Sequence, residues 1–167
     1  MKKPAGPLIA GLAAAAIAAF CLWYTLVPKS WAGIDGSSQP IALSSISLSL
    51  STSGDDGREY ASRSLDADGG HPAAQAVISA LEEHAYRADL ANLSPVPRDS
   101  ISAPGTDVLS LMLRTRDKRL MLVTVYSNGQ LTTGGLSLSP EGCRSYKTDT
   151  GLFQEMLGVL QEYGTAE

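Results

Sequence analysis

Cysteine is nearly absent from this chain. Among its 167 residues only Cys21 and Cys143 are cysteines, and Cys21 lies within a long apolar stretch. The two are therefore not expected to meet, which excludes an internal disulfide framework. A chain of this kind depends on its apolar core for stability. We interpret Cys143 as a small buried hydrophobic residue, with a free thiol that links two chains as the alternative.

Basic residues are scarce and scattered. The chain has 13 Lys and Arg against 17 Asp and Glu, a formal net charge of −4, and no run of basic residues. Without Lys2 and Lys3 the balance becomes 11 against 17, or −6. This charge does not suit a phosphate backbone, so we predict that no nucleic acid is bound. It also predicts repulsion between the domain and an anionic lipid surface.

Histidine occurs only twice, as His71 and His84. No HExxH, GxSxG, SxxK, Walker or dinucleotide-binding glycine motif is present. Cys143 has no histidine near it in the sequence to act as its base. We therefore predict no catalytic residue and no cofactor, with a zinc site formed by the two histidines as an alternative.

The segment after residue 65 resembles the start of a calcium-binding loop. Asp66, Asp68 and Gly70 have the spacing of its first ligands, but Gly70 stands where a third ligand is needed. The twelfth position is Val77 instead of an acidic residue. We predict no metal site here; the alternative is a loose calcium site that also uses residues 55–56.

One long apolar stretch is present, at residues 8–27, without charge or proline. As a helix it would be about 30 Å long, the thickness of the hydrocarbon core of a bilayer. Lys2 and Lys3 precede it, so the positive-inside rule places the N-terminus in the cytoplasm. The sequence thus predicts a cytoplasmic stub and single-pass anchor over residues 1–28. The anchor contacts the lipid bilayer of the cell membrane, and the remainder of the chain is extracytoplasmic.

Two alternatives to a retained anchor stay open. A signal peptide would be cut after Ala32, where Ser30 supplies the other small residue. A lipoprotein leader would use Cys21, but the bulky Phe20 precedes it. We favour the anchor because signal peptides have apolar regions of about 7 to 15 residues. All three interpretations export the rest of the chain.

The first half of the exported region predicts a linker and a strand hairpin. Residues 29–40 are rich in Gly and Ser and indicate a flexible linker. Every odd position over residues 45–53 is serine, and the even positions carry Ile, Leu, Leu and Thr. This alternation predicts a strand with one buried face and one serine face, solvated or used for recognition. Residues 54–57 form the turn, and residues 58–65 the returning strand.

A helix and a long loop follow. Apolar residues at helical spacing predict a helix over residues 72–85, with Pro72 in its first position. Residues 86–93 either extend this helix or form a short strand, and we favour the strand. Residues 94–106 contain three prolines and predict a loop. We expect a partner to dock at this loop or at an edge of the sheet.

The second half is rich in strands. The sequence predicts strands at residues 107–115, 120–126, 130–139 and 143–147. It also predicts a helix at residues 151–162. The Asn128-Gly129 pair is a strong hairpin signal, and the Gly134-Gly135 pair indicates a bulge or a bend. Residues 120–126 are apolar on nearly both faces, which indicates a central strand that is covered on both sides, or covered on one side and part of a dimer on the other. Thr150 or Asp149 is expected to cap the last helix.

Tight turns make these strands antiparallel, and two amphipathic helices need one apolar sheet face. The predicted fold is α+β, with an antiparallel sheet of five to six strands and two helices on one face. This domain extends over residues 41–164.

The layout resembles that of small, mostly uncharacterised membrane-tethered domains that Gram-positive bacteria export. Four features carry the resemblance: one N-terminal span, a strand hairpin, a helix leading into "AYRADLANL", and the closing "GLFQEMLGVL" helix. The resemblance implies no known activity.

We therefore predict a non-enzymatic, membrane-anchored extracytoplasmic module that binds a protein or an envelope component. The alternative is an exported hydrolase built around His84, Glu83 or serine-bearing loops. An enzyme would need His71 or His84 in a concave pocket, with a carboxylate or serine within hydrogen-bond reach.

Overall fold

The computed structural model describes residues 6–35, 42–53, 59–93, 106–116, 118–135 and 143–166. They form one antiparallel sheet of eight strands together with four α-helices. The helices are α1 (Gly6–Leu26), α2 (Trp31–Asp35), α3 (Pro72–Glu83) and α4 (Gly151–Tyr163), with a 3₁₀ helix at Leu90–Leu93. The strands are β1 (Leu43–Ser53), β2 (Glu59–Asp68), β3 (Arg87–Ala88), β4 (Val108–Thr115), β5 (Leu120–Tyr126), β6 (Gln130–Gly135), β7 (Arg144–Lys147) and β8 (Thr165–Ala166). Across the sheet their order is β3-β7-β6-β5-β4-β1-β2-β8.

Strand β1 has the two-faced character that its serine alternation predicts. Ile46 and Leu48 are buried, whereas Ser45, Ser47 and Ser49 are half-buried on the opposite face. Successive side chains of a strand point to opposite sides, so the leucines and the serines separate. The prediction for this strand is confirmed.

The core lies on one face of the sheet, under α3 and α4. Leu48, Leu111 and Val123 are aligned across β1, β4 and β5 and have no exposed surface. The helices cover them with fully buried side chains that include Leu81 and Met156. Burying each such side chain stabilises the fold by about 1.5 to 3 kcal/mol. The α+β class, the antiparallel sheet and the helix pair on one face are thus confirmed.

The strand count differs from the predicted five to six. Both of the two-residue strands, β3 and β8, lie at edges of the sheet and are too short to leave a periodic pattern. Over residues 86–93 the predicted strand is limited to β3, and the chain then turns into the 3₁₀ helix. Strand β2 continues to Asp68, three residues beyond the predicted end.

The prediction of a flexible linker over residues 29–40 is wrong for its first part. Trp31 is only 2% exposed, and its ring contacts that of Tyr86 at 5.8 Å between centroids. Lys29 and Tyr86 exchange two backbone hydrogen bonds of 2.7 and 2.9 Å. The burial of one large aromatic side chain therefore orders this segment, despite the Gly and Ser residues around it. Residues 36–40 lie outside the described residues.

Two local predictions in the second half are also wrong. The Gly134-Gly135 pair continues the regular register with β5 and forms no bulge. A Cβ at Gly134 would lie 2.9 Å from the Cys143 sulfur, and this close approach is the structural role of the glycine. Cys143 itself is exposed, not buried. The register shifts lie in β1 instead, between Leu43 and Ser45 against β4 and between Leu50 and Ser51 against β2.

Strand β5 lies between β4 and β6, as expected of a central strand. Its second face is less covered than predicted, because Leu122 is 41% exposed. The predicted turn at residues 54–57 and all but Thr106 of the predicted loop at residues 94–106 lie outside the described residues.

Helix α1 contains 21 residues and no charged one. Within the described part of the chain, no helix meets the combined requirement of length and hydropathy for crossing a membrane.

Candidate functional site

A row of hydroxyl side chains crosses the face of the sheet opposite the core. Each member is aligned with the next on the neighbouring strand, from β8 to β7. The row consists of Thr165, Ser64, Ser49, Ser110, Thr124, Thr132 and Ser145. Because neighbouring strands are about 4.8 Å apart, this hydroxyl row is about 29 Å long. All of its members are half-buried or exposed.

The position of the hydroxyl row follows from register. Ser49 belongs to the serine series of β1, and the pairing of β1 with β2 and β4 places Ser64 and Ser110 beside it. A shift of one residue in any strand would send that strand's hydroxyl to the core. The row is uncharged, and each of its side chains donates and accepts hydrogen bonds.

A cleft lies beside the hydroxyl row, toward the ends of β1, β2 and β4. It encloses about 400 Å³ and is lined by Ser45, Ser47, Asp66, Asp68, Met112 and Arg114 among others. Met112 is 40% exposed. The cleft combines hydroxyl groups, both signs of charge and an apolar side chain, so it is suited to binding. Neither histidine is among the residues that line it.

His84, the candidate residue of the hydrolase alternative, lies elsewhere, at the end of α3. Its side chain is 10% exposed. Its Nδ1 lies 3.0 Å from Oδ2 of Asp149, and its Nε2 lies 3.2 Å from Oε1 of Glu155. Asp149 precedes α4 and also accepts a hydrogen bond of 2.8 Å from the Gly151 backbone. His84 therefore joins the end of α3 to the beginning of α4.

The two carboxylates favour the charged imidazolium. Burial by itself lowers the pKa of His84, but the hydrogen bonds and charges of Asp149 and Glu155 outweigh it and raise the pKa above the ordinary 6.5. The hydrogen bond from His84 in turn lowers the pKa of Asp149 from its ordinary 3.8. The cluster therefore forms ion pairs that link the end of α3 to the beginning of α4.

This geometry bears on the hydrolase alternative. Two carboxylates lie within reach of His84, as an enzyme would require, but they occupy both ring nitrogens. Neither nitrogen is left to take a proton from a nucleophile or substrate. His71 is exposed; its Nδ1 accepts the Ala73 backbone N–H at 3.2 Å, and its ring contacts that of Tyr163. Both histidines therefore have structural contacts.

Stability is expected to depend on pH through His84. Because the folded-state pKa is raised, its contribution is complete below about pH 6.5 and is lost as pH rises through the folded-state value. Asp149 and Glu155 are 65% and 51% exposed, so the loss should be limited to about 1 kcal/mol. Urea unfolding of the full chain in detergent, from about pH 5 to about pH 9, measures it.

His84→Gln should remove this pH dependence. His71→Asn, which keeps a capping side chain at the start of α3, should retain it. Equal pH profiles for the two variants would contradict the assignment to His84.

The alternative of a loose calcium site gains no support. Asp66 and Asp68 are exposed, and Asp55 and Asp56 lie outside the described residues. Among the residues that the structure describes, no group of three or more His, Cys, Asp or Glu side chains is arranged to hold a metal ion. Of the two expected caps of α4, Thr150 occupies the N-cap position but makes no capping hydrogen bond with its side chain, and the Asp149 carboxylate accepts the Gly151 backbone N–H instead.

Sequence reasoning identified the serines of β1 and His84 but missed their partners. The missing members of the hydroxyl row come from six other strands, and no linear pattern aligns them. Asp149 and Glu155 are 65 and 71 residues from His84 in the chain. Only the packing of α3 on α4 brings these groups together.

Comparisons of this chain with protein-family models, with curated proteins and with solved structures found no match.

Proposed function

We propose that this protein is a membrane-anchored, non-catalytic binding module. Helix α1 holds it in the membrane, and the face of the sheet that carries the hydroxyl row contacts an uncharged, polyhydroxylated component of the cell envelope. The observation that carries the proposal is an uncharged helix, exposed over residues 10–20, that is fixed to a domain with an open polar face.

The exposure of α1 supports the anchor. Every side chain from Ala10 to Phe20 is exposed, and Leu12 and Ile17 are each 65% exposed. The apolar residues surround the helix instead of forming one stripe, so no single protein surface could cover them. Over all 21 residues, α1 is about 30 Å long, close to the hydrocarbon thickness of a bilayer. Lipid is therefore the environment that suits this helix.

The side of the membrane follows from charge. Lys2 and Lys3 precede α1, which supports a cytoplasmic N-terminus and a sheet outside the cell. The buried position of Trp31 supports a retained α1, because cleavage after Ala32 would remove a core side chain from the domain.

The open face supports the choice of partner. The hydroxyl row presents groups that both donate and accept hydrogen bonds at the regular spacing of the strands, and none of its seven members is charged. Such a surface matches a polymer with regularly spaced hydroxyl groups better than it matches an ion or a nucleic acid. Exposed Met112 and Leu122 lie next to the row and can contact the apolar faces of sugar rings.

The test uses cells that display the full chain and have had their wall removed. Fluorescent soluble fragments of envelope polysaccharide should bind these cells, and Thr124→Val with Thr132→Val should abolish binding by removing two central hydroxyls at nearly constant volume. Thr133→Val is the matched control, because Thr133 lies on the core face of the same strand and is 8% exposed. Equal binding by both variants would contradict the role of the open face.

The same cells report the side of the membrane. In a Cys21→Ala background the exposed Cys143 is the remaining thiol. A membrane-impermeant maleimide should label it without permeabilisation, and Cys143→Ser should remain unlabelled. Labelling only after permeabilisation would overturn the extracytoplasmic location.

A further inference from the structure

The domain is attached to α1 along the last turns of this helix. Cys21, Tyr24 and Thr25 are half-buried there, whereas the side chains of residues 10–20 are exposed. Tyr24 packs against the core, and α1 contacts β3 and the 3₁₀ helix. The helix therefore leaves the fold at the β3–β7 edge of the sheet.

The length of α1 then determines where this edge lies relative to the membrane. From Gly6 to Cys21 a helix rises about 22 Å, and about 30 Å is reached only at Leu26. A bilayer has a hydrocarbon thickness of about 30 Å. If α1 is to span it, the turns that carry the domain lie within the outer part of the membrane. The elements packed on those turns must then contact lipid.

The surface beside α1 is apolar where this contact would occur. Leu90 and Leu93 of the 3₁₀ helix are 51% and 44% exposed, although both are large apolar residues. Trp23 of α1 is 61% exposed, and tryptophan favours the boundary between headgroups and acyl chains. Leucines on a short turn that contacts a membrane helix are suited to burial in that boundary.

Basic side chains lie on strands β3 and β7 of this edge and at Lys29, which follows α1. Arg87 and Lys147 are paired across β3 and β7, and both are exposed. Arg144 is exposed on β7, and Lys29 lies with its Nζ 4.7 Å from the centre of the Tyr24 ring. Of the acidic groups nearby, Asp89 accepts the Ala91 backbone N–H, and Asp149 is bound by His84.

We propose that the β3–β7 edge and the 3₁₀ helix form a second membrane contact, which binds anionic lipid headgroups and buries Leu90 and Leu93 at the bilayer surface. The proposal rests on the anchoring of α1 proposed above. It departs from the repulsion expected from the net charge, because the positive charges are concentrated at the edge that faces the membrane.

The test places single fluorescent labels on the full chain in vesicles, in a Cys21→Ala, Cys143→Ser background. Cysteines replace Ala15 in α1, Leu90 in the 3₁₀ helix, or Lys118 in the hairpin between β4 and β5. Lipids with a nitroxide near the headgroup should quench the label at position 90 but not the label at position 118. Position 118 is the control because β6 separates this hairpin from β7.

The label at position 15 separates the two proposals. If lipids with a nitroxide deep in the acyl chain quench it while the label at position 90 is not quenched, α1 is anchored and the second contact is wrong. If it is not quenched, the anchoring itself fails. A label at position 90 that is shielded from aqueous iodide but not quenched by lipid would indicate a protein occupant, including a second copy, and would overturn the lipid contact.

The lipid charge is tested in the same system. Quenching at position 90 should be severalfold stronger in vesicles that contain phosphatidylglycerol than in phosphatidylcholine alone. Arg87→Glu with Lys147→Glu should remove this difference. Arg116→Glu with Lys118→Glu makes the same change of charge in the distant hairpin and should preserve it. An equal loss in both pairs, or no dependence on phosphatidylglycerol, would contradict the headgroup contact.

Discussion

Trp31→Ala is expected to destabilise the domain by about 3 to 5 kcal/mol, the largest effect of any single change considered. Trp31 is 2% exposed and contacts the buried ring of Tyr86, so the substitution leaves a cavity at the junction between α1 and the sheet. Thermal unfolding of the full chain in detergent, followed by circular dichroism, should show a melting temperature lower by about 6 to 20 °C.

Two further variants test the cause of this loss. Trp23→Ala changes a tryptophan that is 61% exposed on α1 and should leave the melting temperature unchanged. Trp31→Phe should cost less than Trp31→Ala, because it keeps the ring and removes an indole Nε1 that is buried without a hydrogen-bond partner. A near-normal melting temperature for Trp31→Ala would mean that residues 29–35 contribute little to stability.

Gly69→Ala is expected to cost about 1 to 3 kcal/mol. A Cβ at Gly69 would overlap the backbone carbonyl oxygen of Leu43, and the Gly69 N–H already donates to the Ser44 carbonyl at 2.9 Å. Backbone lies on both sides of the clash, so neither strand can yield without loss of pairing between β1 and β2. Urea unfolding should show a lower midpoint with an unchanged slope.

The neighbouring glycine provides the control. A Cβ at Gly70 meets nothing within 4 Å, so Gly70→Ala should change stability by no more than about 0.5 kcal/mol. Two variants one residue apart would thus differ severalfold in effect. Equal midpoints for both would show that the approach of Gly69 to Leu43 is not close in solution.

The fold was predictable where local pattern and burial agree. The alternation in β1 and the apolar spacing of α3 and α4 are such cases, because one face of each element is buried in the common core. Residues 29–35 were not predictable in this way. Their composition favours a linker, and only the contact of Trp31 with Tyr86, 55 positions later in the chain, makes them part of the domain.

The candidate site was predictable only in part for a related reason. The serines of β1 are visible in the sequence, but the hydroxyl row requires the register of seven strands. His84 could be identified as a titratable group, whereas its two carboxylate partners depend on how α3 and α4 meet. The sequence of each strand shows its own hydroxyl residues, but it does not show how the strands are aligned with one another.

The two-hydrogen-bond bridge between Lys29 and Tyr86 has a consequence for biosynthesis. During synthesis the apolar helix emerges first, long before its partner residues exist. Synthesis adds about 5 to 20 residues per second, so Tyr86 follows Lys29 by roughly 3 to 11 seconds. Lys147 follows Lys29 by roughly 6 to 24 seconds. If α1 is anchored as proposed above, it reaches the membrane before the residues that fix it to the domain have been synthesised.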